Sequence, residues 1–277
     1  LQAEGLGGGL LLLGFDPPPA DVNAGEHLPL TLYWQAETTP ADDYTVRLSL
    51  VAPDGTVAAE ECATPGRASH PTSAWIAGDV VRDGRSPLVP AATPAGEYTL
   101  CIDLLDAAGK PLRPPSSQGG MGGVVTVHAP EHRFDLPPVQ HPISATLGGQ
   151  ARLLGYDLGS DALTPGQPFT LTLHWRAEAT AEIGHVVFVH LLDEAEHIHA
   201  QSDRIPAAGT RPTTGWLPGE VICDTHTLTV ASDAPPGRYV LEVGMYDPTS
   251  GERLRVLDER GTDTGDRILL PTQIKVK

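Results

Sequence analysis

Hydrophobic and polar residues alternate along most of this chain with a period of two. In "LPLTLYWQAE", Leu28, Leu30, Leu32 and Trp34 alternate with Pro29, Thr31, Tyr33 and Gln35. That period puts one face of an extended segment in a core and leaves the other more polar, which predicts a β-strand. The alternation returns at Phe169, Leu171, Leu173 and Trp175. "YTVRLSLVAPDG" predicts another strand, with Val46, Leu48 and Leu50 on one face and a turn at Pro53-Asp54-Gly55. "PPGRYVLEVGMYDPTSGERL" predicts a strand over 238–246, a turn over 247–251 and a further strand from near Arg253. "PAGEYTLCIDLLDAAGKPL" is its counterpart. Helical periodicity is nearly absent; only "AEATAEIGH" (177–185) has room for one helical turn.

The counterparts are not scattered. Shifting the chain by 141 residues aligns Leu6–Asp106 with Leu147–Asp247 without a gap and gives 31 identities in 101 positions. Unrelated sequences of ordinary composition would give roughly six to eight. A period this long means two tandem domains rather than a solenoid of short repeats. The expected organisation is one copy over 1–128, a polar, proline-bearing linker over 129–142, and a second copy over 143–277. About seven short strands per copy, separated by Gly and Pro turns, predict an all-β fold. It would be two antiparallel β-sandwiches of immunoglobulin or fibronectin-like type, related by internal duplication. Trp34 and Trp175 are expected to plug the two cores.

One odd stretch occurs twice: "WIAGDVVRD" from Trp75 and "WLPGEVICD" from Trp216. It is read as scaffold. Gly78 and Gly219 would permit the same turn, and Val80 and Val221 would anchor the strand that follows.

Composition narrows the function. The net charge is −17, which repels phosphate backbones and anionic lipid headgroups and argues against nucleic-acid and polybasic membrane binding. Aromatic residues are 5% of the chain, so Leu, Val and Ala must fill most of the cores. The three cysteines, Cys62, Cys101 and Cys223, form no CxxC pair. Cys62 and Cys101 share a copy and could pair in an oxidising compartment. The longest apolar run near the start, Leu10–Leu13, is far too short to span a membrane. The chain begins with Leu and shows no signal peptide, so it is expected to be a piece of something larger, soluble in itself but attached to a membrane domain.

Candidate chemistry is sparse. "GLGGGL" (5–10) lacks the strand before and helix after that a phosphate-binding loop requires, and reads as a flexible lead-in to the first strand. His185, His190, His197 and His199 cluster in the second copy, but Thr56 and Ala58 stand at the places of His197 and His199 in the first. Exposed strand histidines are therefore expected, and no metal site. The ligand-binding candidates are His190, Asp203, Trp216 and Asp224, an aromatic face with hydrogen-bonding groups of the kind a shallow sugar site uses. The same residues could instead fix loops against the sandwich end. Ser49 and Cys62 replace His190 and Asp203 in the first copy, whereas Trp75 and Asp83 are kept. No nucleophile elbow or kinase signature is present, and no catalytic residue and no cofactor are expected.

"ARLLGYDL", "LTLHWRAE", "VFVHLLD", "AQSDRIPAAGTRPTTGWLPGEVICD" and "PPGRYVLEVGMYDPTSGERL" resemble the soluble C-terminal tail of bacterial multi-pass membrane glycosyltransferases of the dolichyl-phosphate-mannose-protein mannosyltransferase type. The resemblance covers most of the second copy and, more weakly, the first. It implies an extracytoplasmic β-sandwich with the transferase chemistry elsewhere, so no catalytic residue carries over. The expected function is a non-catalytic pair from a bacterial envelope glycosyltransferase or surface protein, supporting or positioning glycan or envelope-protein partners. The alternatives are a carbohydrate-binding module with its site on the second copy and, more remotely, a metal-dependent hydrolase using the histidine cluster.

Overall fold

A computed structural model describes residues 4–66, 69–113, 122–258 and 260–277. The chain divides into two compact units, Leu1–Pro130 and Glu131–Lys277. Each is a β-sandwich with its own hydrophobic core.

The first unit contains β1 (Glu4–Gly7), β2 (Leu10–Asp16), β3 (Asp21–Asn23), β4 (Leu30–Ala36), β5 (Thr45–Val51), β6 (Val57–Ala63), β7 (Val80–Arg85), β8 (Gly96–Leu105) and β9 (Val124–His128). One sheet has the order β1-β2-β4-β7 and the other β3-β9-β8-β5-β6. The glycines of "GLGGGL" are not a loose lead-in: they make the tight turn between β1 and β2, with Gly7, Gly8 and Gly9 all at positive φ. The pairing is antiparallel except where β3 joins β9 in parallel. Pro17-Pro18-Pro19 cannot donate to a ladder, so the chain leaves the first sheet there and joins the edge of the second.

The second unit repeats this plan with β10 (His141–Leu147), β11 (Ala151–Leu158), β12 (Ala162–Leu163), β13 (Pro168–Ala177), β14 (Val186–Leu192), β15 (Ile198–Arg204), β16 (Val221–Thr229) and β17 (Gly237–Tyr246). Its sheets run β16-β13-β11-β10-β18-β19 and β12-β21-β17-β14-β15, with β20 also paired to β17. The added strands β18 (Val256–Leu257), β19 (Asp263–Gly265) and β20 (Ile268–Leu269) precede β21 (Ile274–Val276). The 141-residue shift carries β5, β6 and β8 onto β14, β15 and β17 residue for residue. It also carries the register slip after Leu12 onto the one after Leu153. The stretch 177–185, expected to allow a helical turn, is the end of β13 followed by irregular chain. The segment after Pro130 bonds to the second unit: the Arg211 guanidinium donates to Glu131 O (2.8 Å), and Val221 N–H to Arg133 O (2.7 Å).

All four tryptophans are buried. Each copy also carries a tyrosine corner: Tyr98 Oη donates to Pro94 O at 2.9 Å and Tyr239 Oη to Pro235 O at 2.8 Å. Cys62 pairs across from Arg47 and Cys101 from Ser49, so the two thiols sit on strands that flank β5. Two strand spacings are ~9.6 Å, beyond the reach of a disulfide, and all three cysteines are free.

The doubled stretch is a turn-and-anchor unit. Thr72 Oγ1 accepts from Tyr44 N (2.8 Å) and donates to Asp42 O (3.0 Å); Thr213 Oγ1 accepts from His185 N (2.9 Å) and donates to Ile183 O (2.9 Å). The buried Trp75 and Trp216 indoles donate to His70 O (3.1 Å) and Arg211 O (2.9 Å). Gly78 and Gly219 take φ of +95° and +86° and donate to Ala36 O and Ala177 O. The expected strand anchors, Val80 and Val221, are part of neither core; Val81 and Ile222 take that place. Val221 is buried, but Val80 is 60% exposed, because the inward positions of β7 are 81, 83 and 85.

His185 is buried beside this turn, and burial pushes its pKa below the ordinary imidazole value. The unfolded chain therefore takes up the proton first as pH falls. The stability tied to His185 is complete above about pH 6.5 and is lost as pH falls toward the folded-state value. Tyr44 occupies this place in the first copy. Replacing His185→Tyr should flatten the fall in urea midpoint of the second unit between about pH 7 and pH 5.

Candidate functional site

The four sequence candidates separate into three places. His190 lies on β14, on the face of its sheet turned away from the core. Its Nδ1 is 2.7 Å from Glu242 Oε1 and its Nε2 is 3.2 Å from Asp203 Oδ1. His190 and Glu242 are buried there because the segment after β17 folds back over this face: Arg267 donates to Glu242 Oε2 (2.9 Å), and the Arg253 guanidinium lies 4.2 Å over the Phe188 ring. Phe188 in turn rests on Gly244, where a Cβ would come within 2.3 Å of the ring. Burial, then the Asp203 charge, raises the pKa of the neighbouring Tyr246. The sequence paired His190 with Asp203 but missed Glu242, Arg253 and Arg267. The first copy has Cys101 at the place of Glu242, so the repeat held no signal for it.

Trp216 is elsewhere. It is 1% exposed and part of the core, so it offers no ring face to a sugar. Asp224 is fully buried on the edge strand β16. Its Oδ2 receives His226 Nε2 at 2.9 Å and its Oδ1 receives Ala207 N–H at 2.8 Å. Ser202 Oγ, on β15, lies 2.9 Å from His226 Nδ1.

Ser202, His226 and Asp224 thus form a hydrogen-bonded Ser-His-Asp chain, an order that nucleophilic hydrolases use. The duplication supplies a counterpart. The matching residues of the first copy are Glu61, Arg85 and Asp83, which include no hydroxyl or thiol but make the same connections. Arg85 Nε is 2.8 Å from Asp83 Oδ1 and its Nη1 is 3.3 Å from Glu61 Oε1; Nη2 donates to Ala63 O (3.1 Å) and Thr64 O (2.9 Å). β7 and β6 are the edge strands of opposite sheets, as are β16 and β15. In both copies the group ties the two sheets along one open side of the sandwich. The cation has changed strand. In the second unit Arg204, on β15, reaches across to Thr225 O on β16, where in the first unit Arg85 reaches from β7 to β6.

The histidine cluster is dispersed. His190 and His185 are occupied as described, and His197 and His199 both lie against Asp193 Oδ2, at 3.3 and 2.9 Å. The His199 bond, with the His197 and Ala195 N–H groups, holds the Asp193 carboxyl well below the usual carboxylate range. Among the described residues no group of three His, Cys, Asp or Glu is placed to hold a metal ion, and no helix is long and apolar enough to cross a membrane.

No family model matches the chain, and no curated protein matches it. Solved structures do. The C-terminal domain of Wzt matches at 16% identity over 52% of this chain and 84% of its own, with a TM-score of 0.36. A CARDB domain from the PF1109 protein of Pyrococcus furiosus, solved with di-metal ions, matches at 10% identity over 54% of this chain and 100% of its own, with a TM-score of 0.26. A Corynebacterium diphtheriae protein described as membrane anchored matches at 10% identity over 97% of this chain and 58% of its own, also with a TM-score of 0.26. At these scores none of the three bears on the chemistry of this chain.

One asymmetry between the copies gives a direct test of the edge group. Trp34 Nε1 donates to Asp83 Oδ2 at 3.2 Å, whereas the buried Trp175 Nε1 has no acceptor among the described residues. Trp34→Phe and Trp175→Phe remove the same volume from matching cores, but only the first removes a hydrogen bond to a buried carboxylate. Trp34→Phe should destabilise its unit by about 1.5–3 kcal/mol more than Trp175→Phe destabilises its own, as read by urea unfolding.

Proposed function

We propose that the two sandwiches are a non-catalytic extracytoplasmic pair, belonging to a bacterial envelope glycosyltransferase or surface protein, that supports or positions glycan or protein partners. One observation carries the reading. The polar residues kept in and just before the doubled stretch, Thr72 with Thr213 and Asp83 with Asp224, are buried and engaged in turn and edge bonds. An active site inherited through that stretch would instead have left its shared polar groups facing solvent. The envelope setting rests on the resemblance of the second-copy stretches to transferase tails.

The test is turnover by the purified 277-residue chain on activated-sugar donors and on a panel of glycosides and esters. No product above the uncatalysed background is expected. Turnover that co-purifies with the chain and is abolished by Ser202→Ala would overturn the reading.

A carbohydrate-binding role for the second copy is favoured by a different pair of grooves. At the tip of the β5–β6 hairpin, beside Tyr98, lies a groove of about 310 Å³ whose lining includes Ala52, Asp54, Thr56 and Ala58. The matching groove of the second copy, about 390 Å³, is lined by three charged residues, Asp193, Glu194 and Arg238, beside Pro235, Pro236 and Tyr239. Charged groups beside flat apolar ones suit a sugar. Calorimetric titration with a glycan panel should then give a saturable heat that Arg238→Ala weakens at least tenfold. No heat with any glycan would remove this second role.

A further inference from the structure

The repeat makes the two edge strands at the doubled stretch directly comparable, and one of their differences is that one is covered and the other is not. Along β16 lies the extended segment 131–134. Val221 N–H donates to Arg133 O at 2.7 Å. His132 Nδ1 is 2.8 Å from Glu220 Oε2, and Arg211 both bonds Glu220 and donates to Glu131 O. Phe134 lies over Gly219, with its Cδ1 3.8 Å from where a Cβ would be. As a result Glu220 is 1% exposed and Val221 7%.

Except for the guanidinium of Arg211, the receiving elements recur on β7 and the turn before it. Gly78 N and Ala36 N bond Ala36 O and Asp79 O, as Gly219 N and Ala177 N bond Ala177 O and Glu220 O. The ladder phase is therefore the same, and the Val80 N–H points away from β4 as the Val221 N–H points away from β13. Asp79 stands where Glu220 stands, capping Ile76 N–H at 2.9 Å as Glu220 caps Leu217 N–H at 2.9 Å. His70 stands where Arg211 stands. Yet among the described residues nothing pairs with β7 on this side, nothing lies within 4 Å of a Cβ on Gly78, and Ile76 and Val80 are 64% and 60% exposed. An edge strand with exposed apolar residues is a template for strand addition.

We propose that the β7 edge is a docking site for an extended peptide strand of the chemistry seen on β16. Such a strand offers a backbone carbonyl to the Val80 N–H, an imidazole or cationic side chain to Asp79, and an aromatic ring two residues further on to cover Gly78 and Ile76. The charge of Asp79 and the apolar pair beside it select for that combination over an acidic or purely aliphatic strand. This site is on the first copy and is independent of the groove beside Tyr239.

The test uses the intact chain and a labelled synthetic peptide spanning residues 130–137, "PEHRFDLP", followed by fluorescence anisotropy. Saturable binding with one peptide per chain is expected. Val80→Pro removes the donor at the first position of an edge strand, where proline is tolerated, and should weaken binding at least tenfold. Ile76→Asp, at a solvent-exposed turn, should do the same without touching the strand. Arg211→Ala, on the covered edge, should leave it unchanged. Three outcomes overturn the proposal. The first is no saturable binding. The second is binding that both Val80→Pro and Ile76→Asp leave intact. The third is sedimentation showing that the chain self-associates through this edge, which would give it to a second copy.

Discussion

An aspartate facing inward from an edge strand organises each half of this molecule. Asp83 and Asp224 occupy positions where alternation would put an aliphatic residue, and both are buried. A buried carboxylate without partners is untenable, so each collects donors from its surroundings. Asp83 takes Arg85 and the Trp34 indole; Asp224 takes His226 and the Ala207 N–H. Those donors connect onward to the edge strand of the opposite sheet. An interaction that must be satisfied locally thereby fixes how two sheets meet along their open side. An inward charge on an edge strand also discourages that strand from pairing indiscriminately with other chains.

The two solutions differ in which residue supplies the donors. In the first copy a guanidinium on β7 serves both the aspartate and the β6 carbonyls. In the second copy a histidine serves the aspartate, and the guanidinium that crosses between sheets has moved to Arg204. Either arrangement supplies donors to the same buried acceptor region. The same exchange leaves a Ser-His-Asp chain in the second copy, because position 61 is Glu in one copy and its match, 202, is Ser in the other.

Much of the fold was legible in the sequence because its causes are local and repeated. Period-two alternation marked Leu30–Ala36 and Pro168–Ala177 as strands, and the 141-residue shift marked two copies. The doubled stretch was legible as scaffold because a glycine at the same place in both copies permits the positive-φ turn that Gly78 and Gly219 both make. Val80 was misjudged because alternation alone does not say which face of an edge strand is inward; the buried Asp83 does. The candidate site was less legible for a related reason. His190 and Asp203 are neighbours across one ladder, a relation that strand spacing can suggest, but Glu242 and Arg267 arrive from β17 and the chain after it. Trp216 and Asp224 are polar-aromatic in sequence and interior in space. A tryptophan with a satisfied N–H packs as readily in a core as on a surface.

The central claim is that the recurrent aspartate and its cation act as one buried unit holding the sandwich edge. A double-mutant cycle on Asp83→Asn and Arg85→Met in the intact chain, read by urea unfolding of the first unit, measures it most directly. The account predicts that each single change costs roughly 3–5 kcal/mol, because it strands a buried partner. The double change should cost less than the sum by at least about 2 kcal/mol. Additivity within about 0.5 kcal/mol would contradict it, and would mean that the two residues lie beside each other without depending on each other.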